Sequence, residues 1–396
     1  MPDTPISPWP SFTAEEVEAV SSTLLSNRVN YWTGQQCRNF EREFAEWIGT
    51  RHAVALANGT VALEAALRAL QIGPGDEVIV TPRSFIASAS CVVCVGARPV
   101  FADVDANSQN ITAATIEPVL TARTRAILCV HLAGMPCDMD PILELAQRHS
   151  LKVVEDCAQS HGAKYRGRMV GSLGHIAAWS FCQDKIMTTG GEGGMVTTNN
   201  RELWSRVWSY KDHGKSWEAM NAPHTGEGFR WVHESFGTNW RMLEVQAAIG
   251  RIQLRHMAAW IARRAANANR IAEVCREFDV LRVPDIPAHV QHAFYRFYAF
   301  VNAERLAEGW SRDRIVSEIV ARGVPCYYGS CSEIYLEKAF EGTSFRPQAR
   351  LATARKLGET SLAFLVHPTL TADEIARACA VIRGVLAEAS AAQGSG

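Results

Sequence analysis

The chain has 396 residues, 47% hydrophobic and 20% charged, and this composition excludes a mainly disordered protein. Its 40 Lys and Arg nearly balance 41 Asp and Glu, and the net charge of −1 argues against a broad nucleic-acid-binding or membrane-binding surface. The sequence contains no run of about 18 apolar residues that would span a membrane, and no signal segment is recognised at its start. Eleven cysteines without the spacing of a small disulfide scaffold indicate a reducing compartment, so we expect a cytoplasmic protein.

Short apolar runs alternate with helical patterns in the first half of the chain. Thr13 and Glu16 form a capping-box pattern that predicts a helix ending near Ser26. The apolar run Ala53–Ala57 then leads into Asn58-Gly59-Thr60 and another helix. Six later apolar runs are predicted to be strands: Glu77–Val80, Pro99–Val104, Ala126–Val130, Lys152–Glu155, Ile176–Phe181 and Gly194–Thr198. Continuous apolar runs separated by helices are typical of strands buried on both faces, so we predict an α/β fold with a mostly parallel sheet.

The second half of the chain has a different pattern, α+β. Its predicted elements are a long helix over Met242–Phe278, a strand over Ala293–Val301, and helices over Ser311–Arg322 and Ala372–Leu386. We therefore expect a large domain over residues 1–260, including the N-terminal segment, and a smaller α+β domain over residues 261–390. Residues 391–396 are small and polar and are expected to be a disordered tail.

Two places in the large domain carry polar groups at the ends of predicted strands. Asn58-Gly59-Thr60 lies between a strand and a helix, where backbone N–H groups and a hydroxyl can bind an anion, or where Asn58 simply caps the helix. Asp156 ends the strand that begins at Lys152, at an edge where ligands bind in open α/β sheets. Its carboxylate can bind a metal, act as an acid or base, hold a cationic ring nitrogen, or cap the next turn.

Lys185 follows a predicted strand and precedes a glycine-rich turn at Gly190–Gly194. A lysine in such a place can form a Schiff base when its pKa is lowered, or it can be an ordinary solvated charge. Lys185 follows Asp156 by 29 residues, and an anion site precedes both. This combination suits pyridoxal 5′-phosphate (PLP), which needs an anchored phosphate, an imine-forming lysine and a carboxylate beside its ring nitrogen. Phe85, after the Glu77–Val80 strand, can supply the aromatic ring expected over the cofactor.

The chain resembles the DegT/DnrJ/EryC1/StrS family of PLP-dependent sugar aminotransferases, which have the aspartate aminotransferase fold (fold type I). The resemblance extends from about Trp9 to about Leu386. The matching segments are Ala57–Leu63, Gly73–Val80, Val130–Gly134, Glu155–Gln159, the Lys185 segment with Glu192–Gly194, and Gly237–Gly250. The resemblance implies a large domain with a mixed, mostly parallel seven-stranded sheet and a smaller C-terminal α+β domain.

The family resemblance also implies a role for each matched residue. Lys185 corresponds to the lysine that forms the internal aldimine and moves the proton, and Asp156 to the partner of the pyridine nitrogen. The other implied cofactor contacts are Gly59, Thr60 and Ser180 at the phosphate, Gln159 near the ring hydroxyl, Phe85 stacked on the ring, and Asn239, which reaches the phosphate of a neighbouring subunit. The implied substrate contacts are Tyr31, Tyr327, Tyr328 and Arg241.

The implied reaction is amination of a nucleotide-linked keto-sugar, a 3- or 4-keto-6-deoxy sugar, in a ping-pong scheme through pyridoxamine 5′-phosphate. The resemblance further implies L-glutamate as donor, a homodimer with shared active sites, and a place in amino-sugar and polysaccharide biosynthesis such as O-antigen. No nucleic-acid or membrane partner is expected, and the scattered histidines lack metal-ligand spacing, so no metal is expected.

Three alternatives remain open at this point. The chain could be a family aminotransferase acting on a cyclitol or an aminobenzoate-type precursor. It could be a related sugar dehydratase, although those enzymes have histidine where this chain has Lys185. It could also be a regulatory or binding homologue without turnover, which the intact set of Lys185, Asp156, Gln159 and Asn239 disfavours. Tyr327-Tyr328 stands where many members have His-Tyr, so the sugar specificity is left open.

Overall fold

The computed structural model describes residues 6–223 and 229–390. In chain order, its strands are β1 (His52–Leu56), β2 (Glu77–Val80), β3 (Arg98–Phe101), β4 (Thr124–Val130), β5 (Lys152–Asp156), β6 (Lys164–Tyr165), β7 (Arg168–Met169), β8 (Ile176–Ser180), β9 (Gly194–Thr198), β10 (Leu281–Arg282), β11 (Val290–Gln291), β12 (Phe297–Val301), β13 (Cys326–Tyr327) and β14 (Ser361–Phe364). Its α-helices are α1 (Ala14–Leu25), α2 (Gln36–Ile48), α3 (Gly59–Ala69), α4 (Ala87–Cys94), α5 (Ala113–Ile116), α6 (Met139–Arg148), α7 (Arg201–Tyr210), α8 (Trp217–Asn221), α9 (Glu244–Arg276), α10 (Arg312–Ala321), α11 (Ala352–Thr360) and α12 (Ala372–Ala389).

A seven-stranded sheet forms the centre of the N-terminal part, in the order β1-β9-β8-β5-β4-β2-β3. Strand β9 runs antiparallel to both of its neighbours, and all other pairs are parallel. The side chains of β2 and β8 are buried throughout. This confirms the predicted α/β fold with a mixed, mostly parallel seven-stranded sheet, and all six apolar runs predicted as strands contribute to it.

Two smaller sheets complete the strand pairing of the described residues. Strands β10, β12, β14 and β13 form a four-stranded antiparallel sheet in the C-terminal part. Strand β11 instead pairs with the hairpin of β6 and β7, which belongs to the N-terminal part. The predicted strand over Ala293–Val301 is shorter than expected, because only Phe297–Val301 pairs in a sheet.

Helix α9 has 33 residues and crosses residue 260 without interruption. Helices α1, α2 and α12 all pack against it, so it contacts helices from the first and the last parts of the described chain. The expected division into domains at residue 260 stays a prediction, and the expected tail, residues 391–396, lies outside the described residues. Among the described helices, none is both long and apolar enough to cross a membrane.

Several loops meet at the carboxyl edge of the parallel strands, as expected for an open α/β sheet. Strand β5 ends at Asp156 and β8 ends at Ser180. Helix α3 begins at Gly59, and the side chain of Asn58 caps it by accepting a hydrogen bond from the Val61 N–H at 3.0 Å. The edge therefore collects one carboxylate, one hydroxyl and one helix N-terminus at the place where the sequence predicts a site.

Candidate active site

A cavity of about 530 Å³ lies at this edge of the sheet. Seven of the predicted cofactor contacts line it: Gly59, Thr60, Phe85, Asp156, Gln159, Ser180 and Lys185. They come from four separate stretches of sequence (59–60, 85, 156–159 and 180–185), and strands β5 and β8 with helix α3 bring them together.

The N-terminus of α3 forms one end of the cavity. Its first-turn N–H groups have no acceptor inside the helix, and the helix dipole places positive potential there. Gly59 lies so close to β8 that a Cβ atom on it would be 2.5 Å from the Cβ of Ser180. A Cβ on Gly194 would likewise be 2.2 Å from the carbonyl oxygen of Asn58. Only glycine fits these positions, and the open backbone they leave suits a phosphate group.

Asp156 lies deep in the cavity wall, only 4% exposed. Ser88 donates its hydroxyl to Oδ2 at 2.8 Å, and the Ala158 N–H donates to Oδ1 at 3.1 Å. Burial raises the pKa of Asp156 above its ordinary value, against the opposing effect of these hydrogen bonds and of Lys185. A cationic ligand atom beside the carboxylate would offset the cost of burying its charge. This environment therefore suits a protonated ring nitrogen.

Gln159 is held by the main chain next to Asp156. Its Oε1 accepts a hydrogen bond from the Ala133 N–H at 2.8 Å, which fixes the side-chain amide. The carbonyl oxygen of this amide is thus occupied, and its NH₂ group remains as the donor towards the cavity. That arrangement suits an acceptor such as a ring hydroxyl.

Lys185 contributes the amine of the site, with its side chain 16% exposed. Its Nζ lies 3.3 Å from Asp184 Oδ1 and 5.2 Å from the centre of the Tyr295 ring. Burial lowers the pKa of Lys185, but Tyr295 and Asp184 raise it by more, so the pKa lies above its ordinary value. The sequence interpretation required a lowered pKa for Schiff-base formation, and the reason for the difference is the combined effect of Tyr295 and Asp184. The amine is therefore held as an ammonium until a proton is removed.

A second cavity of about 450 Å³ opens from the first and reaches into the C-terminal part. The two share Ser84, Phe85, Gln159, Asp184 and Lys185, so we call them the sheet lobe and the outer lobe of one site. The outer lobe is lined further by Tyr295, Arg296, Tyr298, Tyr327, Ser330 and Glu337. Phe85 is 67% exposed at the junction of the two lobes. Of the predicted substrate contacts, Tyr327 lines the outer lobe.

Four other predicted contacts lie outside both lobes. Tyr31 is 2% exposed, and its hydroxyl is hydrogen-bonded to Glu41 and Trp208 at 3.2 Å, so it presents no face to the cavity. Asn239 forms a backbone bridge with Asp212, and Arg241 forms an ion pair with the carboxylate of the same Asp212 at 2.6 Å. The guanidinium of Arg312 lies 4.4 Å from the centre of the Tyr328 ring.

The N-terminal segment contacts the backbone of Lys185 through Trp9. The indole N–H of Trp9 donates to the backbone carbonyl oxygen of Lys185 at 2.8 Å. The Trp9 ring packs edge-on against Trp260, with centres 5.1 Å apart, and stacks on His367. Trp9 and Lys185 are 176 positions apart in sequence, and no pattern in the sequence predicts this contact. By contrast, Asp184 is adjacent to Lys185 in sequence and could have been identified as its partner.

A buried group of possible metal ligands lies behind Asp156: His131, Glu155 and Cys157. The Cys137 N–H donates to His131 Nδ1 at 3.0 Å, so the ring proton is on Nε2, which donates to Glu155 at 3.0 Å. The Glu155 carboxylate also accepts backbone N–H groups from Gly171, Leu173 and Gly174. These hydrogen bonds occupy the ligand atoms of His131 and Glu155, and they fix the end of β5 at Asp156.

The sequence and the fold of the chain are both similar to those of known aminotransferases. The model of the DegT/DnrJ/EryC1/StrS aminotransferase family matches residues 10–383. UDP-N-acetyl-3-dehydro-alpha-D-glucosamine 3-aminotransferase of Acidithiobacillus ferrooxidans is 39% identical over 358 residues, covering 90% of each chain. GDP-perosamine synthase of Caulobacter vibrioides is 37% identical over 389 residues, covering 93% of this chain and 94% of that protein. The X-ray structure of the aminotransferase from Psychrobacter cryohalolentis is 59% identical with a TM-score of 0.95, covering 97% of this chain and 100% of that one.

Proposed function

Because this chain belongs to the DegT/DnrJ/EryC1/StrS aminotransferase family, we propose that it binds PLP and transfers an amino group from L-glutamate to a nucleotide-linked 3- or 4-keto-sugar. The observation that carries the proposal is the single cavity in which Gly59, Asp156 and Lys185 meet. The relatives named above include one that acts on a UDP-linked sugar and one named for a GDP-linked product, which supports the substrate class.

The residues of the sheet lobe fit the cofactor at each of its polar groups. The N-terminus of α3 and Thr60 would hold the phosphate, Asp156 the ring nitrogen and Gln159 the ring hydroxyl. Phe85 would lie on the ring, and Lys185 would hold the aldehyde carbon. When bound, PLP supplies a ring that accepts the electron pair left behind when the donor loses its α-proton.

The environment of Lys185 suits the transfer of that proton. Once the amino-acid donor has displaced it, the free amine of Lys185 can take the α-proton on Nζ and deliver it again on the same face of the ligand. Asp184 at 3.3 Å and the Tyr295 ring stabilise the ammonium form that exists between these two steps. The raised pKa of Lys185 thus favours its action as a base.

The amino group stays in the site after the first half-reaction and is transferred in the second. Both substrates therefore use the outer lobe, one after the other. Tyr327 and Tyr298 give this lobe aromatic and hydroxyl groups suited to a sugar ring. A sugar nucleotide therefore enters from the C-terminal part and places its keto carbon towards Lys185.

We propose a homodimer in which the segment around Asn239 reaches the neighbouring cofactor site. Three large apolar side chains of this segment are strongly exposed: Phe229 at 74%, Trp231 at 85% and Phe236 at 100%. Exposed aromatic clusters of this kind are typical of protein–protein interfaces. Asn239 lies three residues beyond Phe236, which agrees with a role across such an interface.

The experiment that tests the proposed function follows the visible absorption of the purified protein with added PLP. L-Glutamate is expected to replace the absorption band of bound PLP with that of pyridoxamine 5′-phosphate. One member of a panel of UDP-, GDP- and dTDP-linked 3- and 4-keto-sugars is expected to restore the PLP band. The aminated sugar is then identified by mass spectrometry. A protein that never acquires cofactor absorption would overturn the proposal, and reversal by a cyclitol ketone alone would replace the substrate class.

A further inference from the structure

The guanidinium group of Arg296 is unusual in the wall of the outer lobe because it forms no ion pair with a described residue; Asp184 acts on it only at longer range. It makes no hydrogen bond to a described residue and has no described carboxylate oxygen within 4.0 Å, and its Nη1 is buried. Its contacts are the faces of two aromatic rings, with Cζ 5.3 Å from the centre of Tyr295 and 5.4 Å from that of Tyr327. Those rings hold the guanidinium in place, and its N–H donors find no acceptor among the described residues.

The position of Arg296 relative to Lys185 decides which anion it meets. The Tyr295 ring is shared: Lys185 Nζ lies 5.2 Å from its centre and Arg296 Cζ 5.3 Å. Both residues also line the outer lobe, so one small ligand there can meet Arg296 with one end and Lys185 with the other. In an amino-acid donor, a carboxylate is attached directly to the carbon that loses its proton. In a sugar nucleotide, by contrast, the diphosphate is separated from the keto carbon by part of the sugar ring.

The surrounding charges also favour an anion here. Arg264 lies behind this wall, 1% exposed, with its Nε and Nη2 unpaired among the described residues. Burial, and next the positive charge of Arg296, lower the pKa of Arg264 to about 9. The nearby carboxylate of Asp184 is already engaged by Lys185 and the Tyr295 hydroxyl. A bound carboxylate would relieve the repulsion between the two arginines.

We propose that Arg296 binds a carboxylate of the amino-acid donor, and of the keto acid that it becomes, in the outer lobe. This inference rests on the proposed aminotransferase function and assigns a further substrate-binding residue to it. Two parallel N–H donors of a guanidinium match the two oxygens of a carboxylate. The site then recognises the donor by this carboxylate in the first half-reaction and gives the same space to the uncharged sugar ring in the second.

The test compares wild type with Arg296→Gln and Arg296→Lys in the isolated donor half-reaction. With L-glutamate, the apparent second-order rate constant is expected to fall about 10- to 100-fold in Arg296→Gln, and by less in Arg296→Lys, which keeps the charge but not the bidentate geometry. The matched control is Arg314→Gln, because Arg314 also lies over an aromatic ring, Trp310 at 4.3 Å, but does not line the cavity. Arg314→Gln should react like wild type.

Calorimetric binding of two unreactive probes to the PLP-loaded protein gives a second readout. Glutarate should bind Arg296→Gln about tenfold or more weakly than wild type, whereas UDP or GDP should bind both equally. Unchanged glutamate kinetics and glutarate binding in both variants would overturn the inference, as would a loss confined to the nucleotide. If wild type itself ignores L-glutamate, the proposed donor is wrong, and glutarate binding alone then decides on Arg296. If Arg296→Gln does not fold, Arg296→Lys and glutarate decide.

Discussion

At the scale of single residues, Asp156 shows how a functional group can oppose the stability of the fold that holds it. Its carboxylate is 4% exposed, and burial raises its pKa above the ordinary value. Below the ordinary pKa the group is protonated in the folded and unfolded states alike. As the pH rises towards the raised pKa, folding binds a proton, so the favourable contribution of Asp156 is progressively lost. At neutral pH the cofactor-free protein is therefore less stable for carrying this charge.

We predict opposite effects of Asp156→Asn on stability and on function. The cofactor-free variant should gain about 1 kcal/mol in free energy of unfolding at neutral pH, because a buried charge is removed. The asparagine oxygen can still accept from the Ala158 N–H, and the Ser88 hydroxyl can turn to accept from the new NH₂ group and donate to Ser84. Its donor half-reaction should slow about 100-fold, because the partner of the ring nitrogen is gone. Denaturant melts and stopped-flow absorbance measure the two effects. Asp140→Asn, on an exposed carboxylate, is the control. Equal activity of Asp156→Asn and wild type would contradict the assignment.

At the scale of secondary-structure elements, the site depends on how closely α3 approaches β8. The start of the helix and the end of the strand are in contact at Gly59 and Ser180, with room for hydrogen but not for a methyl group. The sequence predicted the strands at this edge because continuous apolar runs identify buried strands, but it did not predict that α3 would approach β8 at Gly59. Local patterns in the sequence can thus identify strands and helices whose polar ends meet at one edge of a parallel sheet.

Gly59→Ala is predicted to lower the affinity for PLP about tenfold or more, since the added Cβ would meet Ser180 at 2.5 Å and push α3 from the strand. Ser180→Gly removes the atom that it meets, so the double variant should recover part of the lost affinity. Ser180→Ala keeps that Cβ and should give no recovery in the same background. Fluorescence titration with PLP measures all four proteins. Equal affinities of Gly59→Ala and wild type would show that the cofactor phosphate lies elsewhere.

The N-terminal segment is the element that sequence reasoning could place least well. Its capping-box helix α1 was predicted, with Thr13 as N-cap. The preceding residues show no periodicity, yet Trp9 donates to the Lys185 carbonyl oxygen. Contacts made by a single side chain across 176 residues depend on the finished packing of α9 and the C-terminal part. The lack of an ion pair at Arg296 could not be predicted from the sequence either, because it depends on the positions of all the surrounding residues in the folded protein.

Trp9→Phe is predicted to slow the donor half-reaction several-fold while leaving most of the ring packing in place. The variant loses the hydrogen bond to the Lys185 carbonyl, which is worth about 1 kcal/mol. Because that bond holds the backbone of Lys185, the amine is then less well positioned for the reaction. Trp260→Phe is the control, because it alters the same aromatic contact without touching that bond. If both variants lose stability alike and neither changes the rate constant, Trp9 serves packing only.

At the scale of the whole molecule, the sheet order β1-β9-β8-β5-β4-β2-β3 is what the strands alone could not specify. The mostly parallel sheet follows from the alternation of strands and helices, but the neighbours of each strand depend on long-range pairing. In the same way, Asn239 and Arg241 lie away from the sheet lobe of their own chain, so a function for them in the site needs a second subunit.

Mixing two inactive variants tests this arrangement. Lys185→Ala lacks the amine, and Asn239→Ala lacks the proposed contact to the neighbouring cofactor, so neither homodimer should turn over at low PLP concentration. After dissociation and reassociation, half of the dimers are mixed and carry one intact site, which predicts about a quarter of wild-type activity. Light scattering measures whether the protein is a dimer before and after mixing. No recovered activity, with mixed dimers present, would show that each site is built from one chain.

The contact between Trp9 and Lys185 also has a consequence for the order in which the protein is synthesised. The Trp9 ring stacks on His367, and the carbonyl of Pro8 accepts a hydrogen bond from Thr369 at 2.8 Å. During translation, Trp9 and Lys185 leave the ribosome long before His367, so the large sheet can form while this support is still missing. In a nascent chain stalled before His367, Trp9 would therefore contact the backbone of Lys185 without the stacking of His367 on its ring. Competence for catalysis would arrive only after His367 has been synthesised, well after the strands of the large sheet, which end at Thr198.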